Sequence, residues 1–152
     1  MIEDIVEIEQ LLNRYCHAVD RGTVSDIMEV FHEDAVLLVA AHTRGNGGIR
    51  AESFKGKEAV RGWYENYDKT ARDRTRSLRH TISTPMIHVD QNMATSVCYL
   101  DADGIDSDSG TAFQVLGRYE DKLIKDEGRW WIAERAIIAE GNYSLGEARE
   151  SL

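Results

Sequence analysis

The chain has 152 residues, of which 42% are hydrophobic and 30% are charged. This composition is typical of one globular domain with a full-sized core. The formal net charge of −9 argues against a nucleic-acid-binding protein, which needs a basic surface, and against a polybasic membrane-binding surface. Only one proline and no Ser/Gly-rich linker interrupt the chain, so we expect a single domain over residues 1–152.

The beginning of the chain and its cysteines predict a cytoplasmic protein. The segment Met1–Asp4 is acidic where a signal peptide needs basic residues. The longest apolar run, Ala35–Ala41, is too short to cross a membrane. Cys16 and Cys98 are too few and too far apart for a disulfide framework or a zinc site, so we expect reduced thiols.

Apolar residues recur every three or four positions near the start, which predicts an amphipathic helix from about Glu3 to Asp20. Its apolar positions are Ile5, Ile8, Leu11, Leu12, Tyr15 and Val19. Gly22 should end this helix. Thr23 followed by an acid at the third helical position, Asp26, indicates a capped second helix.

The next segments alternate between predicted structure and turns. We expect the second helix to bury residues as far as Phe31, and His32–Asp34 to form a turn. Ala35–Ala41 is typical of a buried strand. The glycine-rich segment His42–Ser53 suggests a mobile loop, and Gly56–Thr70 has the apolar spacing of a third helix.

The second half of the chain is rich in β-branched and aromatic residues separated by turn signals. Consecutive hairpins are expected, and therefore an antiparallel sheet. The predicted strands are Leu78–Val89, Ala94–Asp103, Thr111–Lys125 and Arg129–Glu140. Helices followed by strands predict an α+β fold in which a curved antiparallel sheet wraps round three N-terminal helices and leaves an open pocket for a small molecule.

Asp20 stands at the negative end of the first helix, where a carboxylate costs about 0.3–1 kcal/mol in an exposed setting. Since Thr23 can cap the second helix, Asp20 is not needed for that purpose. At 100° per residue, Asp20 lies on the flank of the apolar stripe. It can therefore reach the pocket only if the helix end is turned toward it.

His80 is the partner that the sequence offers to Asp20. Strand alternation places His80 on the same face as Leu78 and Ile82, the more apolar face, so it should point inward. A buried imidazole needs a partner for each ring nitrogen. On the residues alone, a structural histidine and a catalytic one both remain possible.

Four segments resemble one superfamily of α+β cone folds. They are Tyr15–Gly22, Phe31–Ala35, Gly117–Asp121 and Gly128–Arg135. The superfamily includes scytalone dehydratase, SnoaL-type polyketide cyclases, ketosteroid isomerase and nuclear transport factor 2. The resemblance spans about residues 5–140, is fairly specific for the fold and says little about the substrate.

The resemblance implies a His–Asp dyad. Scytalone dehydratase and hexachlorocyclohexane dehydrochlorinase use an Asp at the end of the first helix and a His on the first strand of the second half. Asp20 and His80 match those two positions. A carboxylate bonded to one imidazole nitrogen fixes the tautomer, so that the other nitrogen can accept a proton from a substrate.

Tyr15 resembles the first-helix tyrosine that donates a hydrogen bond in ketosteroid isomerase, although its place on the apolar stripe also fits a packed core residue. Two other family features are missing here. Asp34–Val39 carries no inward carboxylate for the isomerase base, and Ala94–Glu140 contains no second catalytic histidine of the dehydratase type. The alternating charges of Arg118, Glu120 and Asp121 suggest a solvated strand face.

The five histidines show no metal-ligand spacing, and no phosphate-binding loop or dinucleotide fingerprint is present. We therefore expect no metal and no cofactor. The resemblance implies a dehydratase, another lyase or an isomerase acting on a small, mostly apolar cyclic molecule, and a homo-oligomer, either trimer or dimer. A polyketide cyclase and a non-catalytic module, such as a ring-hydroxylating dioxygenase small subunit, remain the alternatives.

Overall fold

The computed structural model describes residues 1–42 and 49–148, which form three helices, one 3₁₀ turn and six strands. The helices are α1 (Ile2–Arg21), α2 (Val24–Met28) and α3 (Lys57–Thr70), and α3 is followed by the 3₁₀ turn Arg72–Arg74. The strands are β1 (Phe31–His42), β2 (Ile49–Lys55), β3 (Thr75–Asp90), β4 (Met93–Asp106), β5 (Thr111–Asp126) and β6 (Arg129–Glu147).

The predicted first helix and its boundary are confirmed. α1 buries its apolar stripe and ends at Arg21. Gly22 is required there by close packing, because a Cβ atom at this position would lie 2.9 Å from the carbonyl oxygen of Ala18. The Thr23 side chain accepts a hydrogen bond from the Asp26 backbone N–H, and Asp26 accepts one from the Thr23 N–H, which completes the predicted capping box.

The fold is α+β, with the three helices packed against a curved sheet that does not close into a barrel. The strand order is β2-β1-β6-β5-β4-β3. The predicted hairpins are present: β3 pairs with β4, β4 with β5 and β5 with β6, each antiparallel. β1 pairs with β6 in parallel, a contact between distant parts of the chain that hairpin signals do not reveal.

Three local predictions were wrong. The second helix, expected to bury residues as far as Phe31, ends at Met28, and Phe31 belongs to a strand. His32–Asp34, expected as a turn, lies within β1, which begins at Phe31. Part of the expected loop His42–Ser53 is the strand β2, which pairs with β1, while residues 43–48 of that loop lie outside the described residues. β2 is an edge strand with exposed Arg50 and Glu52, and such polar edges lack the apolar alternation that signals a strand.

The core lies between the helices and the concave face of the sheet, and β3 forms one edge of that sheet. The C-terminal part of α1 lies against this edge, since Asp20 bonds to β3. None of the described helices is both long enough and apolar enough to span a membrane.

Candidate active site

Asp20 and His80, 60 residues apart in the chain, are joined by two hydrogen bonds. The ring Nδ1 of His80 lies 2.6 Å from Asp20 Oδ1, and the backbone N–H of His80 donates to Asp20 Oδ2 at 2.9 Å. The side chain of His80 is only 9% exposed, and that of Asp20 only 11%. One carboxylate therefore fixes both the backbone and the ring of the histidine.

The edge position of β3 explains why Asp20 can do this. An edge strand has backbone N–H groups that no neighbouring strand accepts, and the N–H of His80 is directed to α1 instead. The position of Asp20 on the flank of the apolar stripe suits this edge. The expected inward orientation of Leu78, His80 and Ile82 is also seen, since they are less exposed than the residues between them.

His80 lines a cavity of about 220 Å³ between the helices and the sheet. Aromatic and aliphatic side chains make up most of the wall, and Trp63 and Tyr67 on α3 stack with their centroids 5.5 Å apart. No Asp, Glu, Lys or Arg of the described segments lines it. The wall residues are Tyr15, Val19, Trp63, Tyr64, Tyr67, Ala71, Thr75, Leu78, His80, Leu100, Ala102, Phe113, Val115, Tyr119, Ile137 and Ala139.

The hydrogen-bonded pair of Asp20 and His80 also borders a second, outer space. A crevice of about 180 Å³ is lined by Asn13, His17 and Thr81 together with Asp20 and His80. The Asp20–His80 pair thus stands between the apolar cavity and a polar crevice. Since Asp20 occupies Nδ1, Nε2 is the ring nitrogen left for a molecule in the cavity.

Tyr15 is both a core residue and a cavity residue. It is 2% exposed, and its hydroxyl lies 2.7 Å from the hydroxyl of Tyr64. Both rings line the cavity. Burial raises the pKa of each phenol, so both remain protonated at neutral pH. In such a pair one O–H donates to the other oxygen, and the second O–H stays available as a donor.

Below this pair lies an ion pair that the sequence analysis missed. Arg135 donates two hydrogen bonds of 2.8 Å to Asp121, and neither side chain is exposed. The guanidinium carbon lies 4.0 Å from the ring centroid of Tyr15 and 4.3 Å from that of Tyr119. Burial works to lower the pKa of Arg135, but the charge and hydrogen bonds of Asp121, together with Tyr15 and Tyr119, raise that pKa well above its usual value.

The expectation of a solvated charge face was therefore wrong for Asp121, although Arg118 and Glu120 do pair near the surface. The alternation Tyr119, Asp121, Leu123 could have revealed the inward carboxylate. Arg135 was harder to find, because the pairing of β5 with β6 shifts register between Lys122 and Leu123. That bulge reverses the alternation of β6 after Ile132 and turns Arg135 inward.

Within residues 1–42 and 49–148, no three His, Cys, Asp or Glu side chains come together as a possible metal site. The two cysteines are buried free thiols. Among the described residues, the side chains with polar atoms that line the cavity are those of His80, Thr75, Trp63 and the four tyrosines, Tyr15, Tyr64, Tyr67 and Tyr119.

The fold and the site define a small α+β domain that encloses an apolar cavity with a carboxylate-bound histidine in its wall. The chain belongs to the SnoaL-like domain family, whose match covers residues 1–136. No curated protein sequence matches this chain significantly.

Several solved structures are similar over nearly the whole chain. A proposed scytalone dehydratase from Novosphingobium aromaticivorans is 18% identical, with a TM-score of 0.75 over 99% of this chain and 92% of that one. A hexachlorocyclohexane dehydrochlorinase from Novosphingobium barchaimii is 13% identical, with a TM-score of 0.76 over 99% and 96%. A proposed aromatic ring hydroxylase from N. aromaticivorans is 23% identical, with a TM-score of 0.73 over 95% of each chain. At these identities the likeness shows the fold alone.

Proposed function

We propose that the protein is a lyase that removes water or a similar small leaving group from a small, mostly apolar cyclic molecule without a cofactor. His80 acts as the general base, Asp20 orients it, and Tyr15 donates a hydrogen bond. The observation that carries the proposal is the 2.6 Å contact of Asp20 with His80 Nδ1 in the wall of an apolar cavity.

In this mechanism Nε2 of His80 takes a proton from a ring carbon of the substrate. The electrons of that C–H bond form a double bond to the neighbouring carbon, and the leaving group departs from there with its bonding pair. If the leaving group is a hydroxyl, it receives the proton from Nε2 and departs as water, which restores neutral His80. If it is a halide, it departs as the anion and the imidazolium passes its proton to solvent. Asp20 stabilises the imidazolium that exists between these steps.

The hydroxyl pair of Tyr15 and Tyr64 supplies the second part of the mechanism. The free O–H of the pair can donate to a substrate oxygen on which negative charge develops as the proton leaves. The cation of Arg135 lies against the ring of Tyr15 and favours negative charge at this end of the cavity.

The cavity wall supports the proposed class of substrate. About 220 Å³ lined by aromatic and aliphatic groups accommodates one or two rings. Because no charged side chain of the described residues other than a protonated His80 could face the ligand, a neutral molecule is favoured over an anion. The names of two similar structures, a dehydratase and a dehydrochlorinase, denote eliminations and support the same reaction type.

The test is a panel of neutral cyclic alcohols, ketones and halides, assayed by mass spectrometry for loss of water or hydrogen halide. We expect His80→Ala and Asp20→Asn to lower the rate by about 10²–10⁴-fold, the usual contribution of a positioned base. His88→Ala is the matched control, because His88 is exposed on the same strand and outside the cavity. Equal rates in the wild type and His80→Ala would refute the assignment.

The same panel separates the alternatives. Ligands that bind equally well to wild type and His80→Ala without turnover would favour a non-catalytic binding module. A product that has gained a ring without losing mass would favour a polyketide cyclase.

We also propose that the protein is a homo-oligomer, a dimer or a trimer. The outer face of β3 and β4 exposes Met86, Val97 and Tyr99, which are 79%, 44% and 61% exposed, and Met86 and Val97 are directly paired. Light scattering of the wild type and Tyr99→Glu tests this. A monomeric wild type would contradict it.

A further inference from the structure

We propose that Arg72 is a positioning residue for the dyad: it holds the C-terminal turn of α1, and so the Asp20 carboxylate, against β3. The inference rests on the proposed function in that the geometry it maintains is that of the proposed base. It adds a role for the 3₁₀ turn after α3, which neither the sequence patterns nor the cavity had indicated.

Arg72 forms hydrogen bonds to residues that precede and follow Asp20 in the chain. Its Nη1 donates to the carbonyl oxygen of Gly22 at 2.7 Å and to that of Val19 at 3.3 Å. Its Nη2 donates to Asp68 Oδ2 at 3.0 Å. The side chains of Arg72 and Asp68 are 20% and 18% exposed, so the guanidinium is mostly shielded from water and bound on two sides.

These contacts compensate for the unfavourable position of the Asp20 carboxylate at the end of α1. The last carbonyl groups of a helix have no partner within the helix and form its negative end. A carboxylate at this end is repelled, so without compensation the last turn would tend to fray or to swing Asp20 away. The guanidinium of Arg72 satisfies two of the carbonyl groups and places a positive charge beside them.

Arg72 is itself bound to α3 through Asp68. Asp68 belongs to α3 and precedes Arg72 by four residues, and Tyr67 and Ala71 beside them line the cavity. A continuous path of contacts therefore runs from the aromatic wall of α3 through Arg72 to the end of α1, then through Asp20 to His80 on β3. A base must be held to a fraction of an ångström to be effective, and this path fixes the end of the helix that carries its partner.

A helix cap that only adds stability would make the same contacts, so the test must examine His80 itself. The variant is Arg72→Met, which keeps much of the apolar stem and removes the charge and the donors. Arg74→Met is the matched control, because Arg74 lies in the same 3₁₀ turn but pairs with Asp108 at the surface. The readout is the downfield ¹H NMR resonance of the His80 Nδ1–H···Asp20 hydrogen bond, assigned by its loss in His80→Gln.

We expect this proton in Arg72→Met to exchange with solvent about tenfold faster than in the wild type or to broaden beyond detection, since local opening exposes it. Arg72→Lys should restore part of the protection, and Arg74→Met should match the wild type. A folded Arg72→Met with wild-type exchange would overturn the inference. If Arg72→Met does not fold, Asp68→Asn, which loosens the anchor of Arg72, must accelerate the exchange, and unchanged exchange there would equally overturn it.

The two proposals fail separately. Accelerated exchange in Arg72→Met without any elimination activity in the wild type would leave the positioning role standing and refute the lyase. Elimination that depends on His80, together with unchanged exchange in Arg72→Met, would do the reverse.

Discussion

The carboxylate of Asp121 accepts two hydrogen bonds of 2.8 Å from Arg135, and the pair is sealed from solvent beneath the tyrosines of the cavity. One donor of this guanidinium, Nη1, has no hydrogen-bond partner among the described residues, although the cation packs against the rings of Tyr15 and Tyr119. The charges on the two side chains therefore depend on each other.

From this dependence we predict that Arg135→Met lowers the free energy of unfolding by about 3–5 kcal/mol, because it leaves the Asp121 carboxylate buried and unpaired. The double variant Asp121→Leu/Arg135→Met should recover most of the loss, since no charge remains in the core. Urea unfolding measures both. The control Arg118→Met, at a surface ion pair, should change stability by less than about 1 kcal/mol, and an equal effect at both arginines would contradict the prediction.

The hydroxyl pair of Tyr15 and Tyr64 gives a second prediction. Tyr15→Phe and Tyr64→Phe should each lower the free energy of unfolding by about 1–3 kcal/mol, because each leaves the other hydroxyl buried without its partner. The double variant should cost less than the sum of the two, which a double-mutant cycle by urea unfolding detects. Tyr99→Phe, on the exposed outer face, is the control. Strict additivity of the two substitutions would mean that the bond contributes nothing.

Replacing either of two glycines by alanine should change the stability of the protein, in opposite directions at the two positions. Gly62 is exposed in the middle of α3, and a Cβ atom there meets nothing within 4 Å. Gly62→Ala should therefore stabilise the protein by about 0.5–1 kcal/mol. At Gly117 a Cβ atom would lie 2.2 Å from the carbonyl oxygen of Ile138, so Gly117→Ala should destabilise by about 1–3 kcal/mol. Thermal unfolding of the two variants side by side checks the opposite signs.

The buried thiols predict that the protein loses stability at alkaline pH. Burial raises the pKa of both Cys16 and Cys98 from 9.0 to about 11. Because the folded state holds these protons more tightly than the unfolded state, the associated stability is complete below about pH 9 and is lost as the pH rises toward about 11. Urea unfolding over this range should show a decline that is shallower in Cys16→Ala/Cys98→Ala. An identical slope would show that other groups cause the decline.

The sequence predicted those parts of the fold whose signal is local. The stripe of α1, the capping box at Thr23 and the hairpins after Leu78 depend on neighbours within a few residues, and these predictions were confirmed. The inward direction of His80 followed from alternation along a single strand. The bond from His80 to Asp20 did not follow from any pattern, and its expectation depended on the resemblance to known enzymes.

What the sequence could not predict depends on distant partners. β2 forms a strand by pairing with β1, although four of its seven residues, Arg50, Glu52, Ser53 and Lys55, are polar. Asp121 was expected in solvent because its buried partner, Arg135, lies on another strand beyond a bulge. Arg72 is an ordinary arginine in the sequence, and only the fold brings it to the end of α1.

The parallel pairing of β1 with β6 has a consequence for how the chain reaches its native state. Phe31 is paired with Ile132 and Ala41 with Ala139, about a hundred residues later, and contacts of such separation form slowly. During synthesis, the helix that carries Tyr15 and Asp20 emerges before β6 and has no complete sheet to pack on until β6 has left the ribosome. In that interval its apolar stripe is exposed, so a slowed or truncated translation product is the species most prone to capture by chaperones or to aggregation.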